Sequence, residues 1–182
     1  MDREIKRQWD AARMSNLVSM LVQLRSEHSK LLQMVGEMEE TAYRSDRMPD
    51  VLTVAFEMRR VKQQLISFMQ ELEDHTAWEA DELMPLIDNY LQGKQKPVPT
   101  DSLWGGEKDR ELATAYFEAF LQRLDEFGTP PHAGMVAEAV DCFIQGCILL
   151  KEHFRIEEQS VIPFVEQILK DSEFQAITTS DR

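Results

Sequence analysis

Apolar side chains recurring at intervals of three and four residues over four long stretches constrain this chain more than any other feature. Between about Met14 and Thr41 the repeat runs through Leu17, Met20, Leu21, Leu24, Leu31, Met34, Val35 and Met38, the signature of a helix with one buried face. A second pattern starts near Val51 and runs through Val54, Phe56, Met58, Val61, Leu65, Phe68, Met69 and Leu72 to Leu83, Leu86 and Tyr90. Its length suggests a bent helix or a separate short first piece. A third helix is expected from about Gly106, with Leu112, Tyr116, Phe117, Phe120, Leu121 and Leu124, and stops at Phe127-Gly128-Thr129-Pro130-Pro131. A fourth runs from about His132 to Asp171 through Val136, Val140, Phe143, Ile144, Cys147, Leu150, Phe154, Val161 and Ile168. Residues 93–99, with Gly93, Pro97 and Pro99, form a break that no helix crosses easily.

With only 7 Gly and 7 Pro in 182 residues, there are too few turn formers for a loop-rich β-sandwich. The reading is all-α, with the helices packed as an antiparallel up-down-up-down four-helix bundle, because short connections make sequential helices neighbours. Residues 14–171 form that bundle; 1–13 are expected as an N-terminal arm and 172–182 as a C-terminal tail. The formal charge of −13 repels phosphate backbones, so neither nucleic acid nor an anionic membrane is an expected partner. Cys142 and Cys147, five apart in one helix, are badly placed for a disulfide and read as small apolar residues. With no signal-peptide pattern and no apolar run of about 18 residues, the expected compartment is the cytoplasm.

Reactive residue types are scarce, and the 4 histidines carry most of what chemistry the chain offers. Two segments repeat a pattern. Asp74-His75 is followed by Glu79 and then Leu83-Met84-Pro85, and Glu152-His153 is followed by Glu157 and then Val161-Ile162-Pro163. Residues i and i+4 leave one face of a helix a single turn apart, so His75 with Glu79, and His153 with Glu157, are preset pairs of metal ligands. One such pair is commonly a solvated ion pair contributing about 0.2–0.5 kcal/mol; the repetition argues for more. In the first helix His28, 47 residues before His75, again follows an acid, Glu27. The matching step of 43 residues back from His153 lands on Arg110, where a histidine would complete the symmetry.

On these residues the chain resembles the hemerythrin-like family, the HHE cation-binding domain, from about residue 14 to 170. The resemblance implies non-haem iron in the bundle core, with His28, His75 and His153 as terminal ligands and Glu79 and Glu157 as bridging carboxylates. Imidazole with carboxylate also suits manganese or zinc. The resemblance further implies sensing or handling of a small diatomic ligand such as oxygen or nitric oxide, or of iron itself. Arginine has no lone pair and cannot take a histidine's place as ligand. Four arrangements are compatible with Arg110: a dinuclear centre with an open position, a centre in which Glu107 coordinates instead, a single ion held mainly by His28, His75 and Glu79, or an ion pair of Arg110 with Glu157 or Glu158 that closes the site. The last would make the chain a metal-free interaction or regulatory bundle. An oxidase or iron–sulfur repair activity and a homodimer are both left open.

Other residues read more plainly. His132, 21 residues before His153, would lie about 32 Å from it along one helix and reads as a helix-start residue. Trp78 and Tyr116 read as packing. Glu82 and Glu158 are weaker carboxylate candidates than Glu79 and Glu157, and Asp74 and Glu152 fall on a different face from their histidines. No phosphate loop or nucleophile elbow is present.

Overall fold

The computed structural model describes the backbone of residues 3–88 and 105–180, and the side chains of 14–45, 47–88 and 107–171. It is all-helical, with no strand among the described residues. Helix α1 spans Arg3–Asp46, α2 Val51–Trp78, α3 Gly105–Asp125 and α4 Ala133–Ser180. A π-helical turn, Glu79–Leu83, follows α2 directly, and α-helix resumes over residues 84–88. The break expected at 93–99 and Tyr90 lie outside the described residues.

The helix ends follow from local chemistry. Asp50 caps α2 by accepting from the backbone N–H groups of Leu52 (3.3 Å) and Thr53 (3.0 Å), which satisfies donors that have no partner in the first turn. His132 does the same for α4, its Nδ1 accepting from the Gly134 N–H at 3.2 Å while its carbonyl accepts from Val136. α1 begins at Arg3, not near Met14, and α4 runs on to Ser180. No Gly or Pro occurs in 1–35 or 172–182, so nothing stops a helix there.

α3 packs chiefly on α4, and α1 lies against both α2 and α4. α3 and α4 approach closely at Gly146, buried on α4. A Cβ there would stand 2.6 Å from the Phe117 ring and 3.2 Å from the Ala113 carbonyl, so α3 and α4 meet this closely only because position 146 lacks a side chain. Phe68, Phe117, Phe120 and Phe143 fill the space around this contact with ring centroids 5.1–6.2 Å apart. An 18-residue window within Ala133–Asp171 is apolar enough to cross a membrane by length and composition, contrary to the sequence expectation. Several of its side chains, among them Val136, Val140, Phe143 and Cys147, are buried against the other helices. Phe56 and Leu112, expected on buried stripes, are exposed; each sits one or two residues from a buried position and is therefore turned about 100–200° off that face.

Two apolar clusters form the interior. One holds Leu31, Val35, Met38, Met58 to Leu72, the α3 phenylalanines and Val136 to Phe154. The other holds Leu17 to Leu24, Leu83, Ile87 and Val161 to Ile168. Along each of three helices the residues at the junction between the clusters are polar: His28 on α1, His75 and Glu79 in and just after α2, and His153 and Glu157 on α4. A buried polar layer thus divides one hydrophobic interior from another.

Candidate metal centre

His28 takes the place of an apolar residue in the stripe Leu21, Leu24, His28, Leu31, Val35, and is fully buried. His75 holds the corresponding place after Leu65, Phe68 and Leu72. From there the buried positions on this segment change spacing, to His75, Glu79, Leu83 and Ile87 at intervals of four. A regular α-helix would carry such a row about 40° around its axis at each step. The π-helical turn takes up that drift with its wider i to i−5 bonding, the Met84 N–H reaching the Glu79 carbonyl. It also explains why Ile87 is buried and Leu86 only partly so, where an unbroken helical spacing points to Leu86. Pro85 directly follows the widened turn, where it lacks an N–H and its ring crowds the preceding carbonyls. Proline alone does not produce the turn, since Pro163, at the same offset from Glu157, stands inside regular α4.

One donor atom each from His28, His75, Glu79 and Glu157 lies within 4.8 Å of every other. The internal separations are 3.4 Å for His28 Nε2 to Glu157 Oε2 and 3.6 Å for His75 Nε2 to Glu79 Oε1. His28 Nε2 and Nδ1, His75 Nε2, Glu79 Oε1 and Glu157 Oε2 are buried without a hydrogen-bond partner. His153 is buried beside this group, its Nε2 3.4 Å from Glu157 Oε2, but does not belong to the set of four. Four of the five residues expected from the sequence therefore converge, and the fifth touches them through Glu157.

Neighbouring groups fix the set in place. Glu27 Oε2 is 2.7 Å from His75 Nδ1, which makes Nδ1 the protonated nitrogen and leaves the Nε2 lone pair facing the centre. Glu158, half-exposed, places Oε1 3.8 Å from His28 Nδ1, beyond hydrogen-bonding distance. Phe154, fully buried, lies between the three imidazoles at 4.9, 6.1 and 5.2 Å from the rings of His28, His75 and His153. Trp78 stacks on His75 at 6.3 Å and 29° and also packs into the second apolar cluster. Neither Glu27 nor Phe154 is marked as functional by spacing within its own helix; both act across helices, and only the doublet Glu27-His28 carried a hint.

Burial dominates the electrostatics. It pushes the His28 pKa down to about 4, against the pull of Glu158 and Glu27, so the imidazole is neutral with its lone pair available. It pushes both Glu79 and Glu157 upward, and the nearby Glu157 carboxylate adds to the rise at Glu79. Two carboxyls this close in a dry interior cannot both hold a charge unless a cation joins them.

Arg110 is half-buried on α3, one step ahead of the buried stripe Ala113, Phe117, Phe120, Leu124. Its charge is the largest influence opposing burial at Glu157, and it also acts on Glu79. It makes no ion pair within 4.0 Å of either among the described residues. Glu107, a candidate substitute ligand, is exposed and outside the set, as is Glu82. Asp74 faces solvent beside Gln70, and Glu152 pairs with Arg155. His132 is an exposed cap at the start of α4. Cys142 and Cys147 are free thiols, and burial pushes the Cys147 thiol up.

Four donors arranged tetrahedrally around one transition-metal ion, each about 2.0–2.2 Å from it, stand about 3.3–3.6 Å apart. The His28–Glu157 and His75–Glu79 separations of 3.4 and 3.6 Å already match, and the widest pair, within 4.8 Å, has to close by about 1 Å. The donors are imidazole nitrogen and carboxylate oxygen, a combination suited to iron, manganese or zinc. Comparison of the chain with protein families, with curated proteins and with solved structures finds no match.

Proposed function

We propose that the chain is a hemerythrin-like antiparallel up-down-up-down bundle that holds non-haem iron between its helices, for sensing or handling oxygen, nitric oxide or iron. One observation carries this reading: four buried donor atoms on three helices converge within 4.8 Å, and none has a hydrogen-bond partner. Each such atom costs a fold about 1–3 kcal/mol if it is left unsatisfied. A cation satisfies all four together. Bound iron would supply an open coordination position for a small ligand. The protein's own residues do the rest: His28 and His75 offer ring nitrogens, Glu79 and Glu157 supply negative charge, Glu27 orients His75, and Phe154 with Trp78 keeps water from the imidazoles.

The test is metal content and optical absorption of protein purified with and without oxygen. About one or more equivalents of iron and an absorption band that responds to oxygen or nitric oxide are expected; less than about a tenth of an equivalent, with no such band, overturns the reading. Within it, Glu27→Ala should weaken divalent-metal affinity about 10–100-fold with little change in helix content, because a freed imidazole loses its fixed tautomer. Calorimetric titration of both proteins with zinc checks this, and equal affinities would remove the orienting role of Glu27.

A further inference from the structure

Among the described residues the centre presents one set of donors, and the position that the sequence symmetry reserves for another histidine is occupied by Arg110. This inference rests on the metal reading above. The set of four draws on α1, on α2 with its π turn, and on α4, with nothing from α3. α3 offers Arg110 at the spacing where a fourth histidine would stand, at the head of its core-facing stripe. The guanidinium is permanently charged and cannot coordinate. Its charge acts on both Glu79 and Glu157, yet it forms no contact pair with either among the described residues. A positive charge on α3 repels any cation brought to the α3 side of the carboxylates and partly compensates their charge without one.

We propose that the pocket takes a single divalent transition-metal cation, held by His28, His75, Glu79 and Glu157, and that Arg110 supplies the positive charge a second ion would bring. The carboxylates then act as ligands to one ion, with their α3 side facing the guanidinium. His153, 3.4 Å from the Glu157 oxygen, positions that carboxylate.

The experiment is titration of chelator-stripped full-length protein with Mn(II) alone, read by calorimetry and by electron paramagnetic resonance. One equivalent with the hyperfine pattern of an isolated Mn(II) ion is expected. Two equivalents, or a spectrum of exchange-coupled ions, overturns the single-ion assignment while leaving metal binding intact; no binding at all removes the metal reading itself. Arg110→His should raise the stoichiometry toward two. Arg110→Gln, which removes the charge without adding a ligand, should keep one equivalent and bind it about tenfold tighter. One equivalent in Arg110→His together with unchanged affinity in Arg110→Gln, both with native circular dichroism, would overturn the role given to Arg110.

Discussion

Stripped of metal, the protein should lose thermal stability as the pH rises from about 6.5 to about 8, and a divalent cation should restore it. The sign follows from which state binds more protons. Glu79 and Glu157 are pushed up toward about 8 in the folded protein, while an unfolded glutamate titrates near about 4.3. Between those values the native state holds protons the unfolded chain has released, so stability falls as pH rises through that window. His28 works in the opposite sense. Its native pKa is depressed to about 4, so its contribution is lost only as pH falls from about 6.5 toward 4. Above pH 6.5 the carboxyls act alone among these three.

The groups that face them leave that sign in place. Arg110 from α3 pulls both carboxyls down, His75 pulls Glu79 down, and Glu27 and Glu158 push them up, but burial is the largest influence on each. One shared proton over 1.5 pH units amounts to about 2 kcal/mol, or about 5 °C in Tm for a chain of this size. A cation present at about 1,000 times its Kd adds about 4 kcal/mol, and its affinity rises with pH because binding releases those protons. The gap in Tm between zinc-loaded and chelator-treated protein should therefore widen from pH 6.5 to 8, reaching about 10 °C. Equal melting curves across that range would show that no cation joins the two carboxyls.

The polar layer that produces this behaviour was legible in the sequence because it interrupts apolar stripes whose phase is set within single helices. His28 falls in register with Leu24 and Leu31, and the pairs at i and i+4 place Glu79 below His75 and Glu157 below His153 without knowledge of any other helix. What depends on one helix sliding against another was not legible. The 2.7 Å contact of Glu27 with His75 crosses from α1 to α2, and an acid one residue from a histidine points about 100° away on its own helix. The same applies to His153, which the repeat makes equal to His75 but which lies outside the converging set. The π turn breaks that equality: it follows α2 at Glu79 and has no counterpart at Glu157. Two sequence copies with the same prolines thus fold differently, since the widened turn depends on what each segment packs against. The full length of α1 was legible but not drawn on, since Ile5, Trp9 and Ala12 carry the three-and-four spacing upstream of Met14.

Replacing Glu79 with glutamine should stabilise the metal-free protein and cripple metal binding at once. Glu79 is 6% exposed, its Oε1 has no hydrogen-bond partner, and Glu157 stands beside it. Above pH 7 the native chain must either bury a charge there or hold a proton against the solvent, and both are unfavourable. Glutamine keeps the shape and hydrogen-bonding capacity of the protonated acid while removing the titration. Glu79→Gln is therefore expected to raise the Tm of chelator-treated protein at pH 8 by about 5 °C, equivalent to about 2 kcal/mol. The same change removes one of two anionic ligands and should weaken zinc or Mn(II) binding at least about 100-fold, since a neutral amide is a poor ligand beside a carboxylate. If Glu79 served only as a structural partner for His75 at 3.6 Å, the substitution would instead leave metal affinity unchanged. Differential scanning calorimetry with chelator, paired with metal titration at the same pH, separates the two. A more stable variant that no longer binds metal is the mark of a residue kept for its ligand chemistry at the expense of the fold.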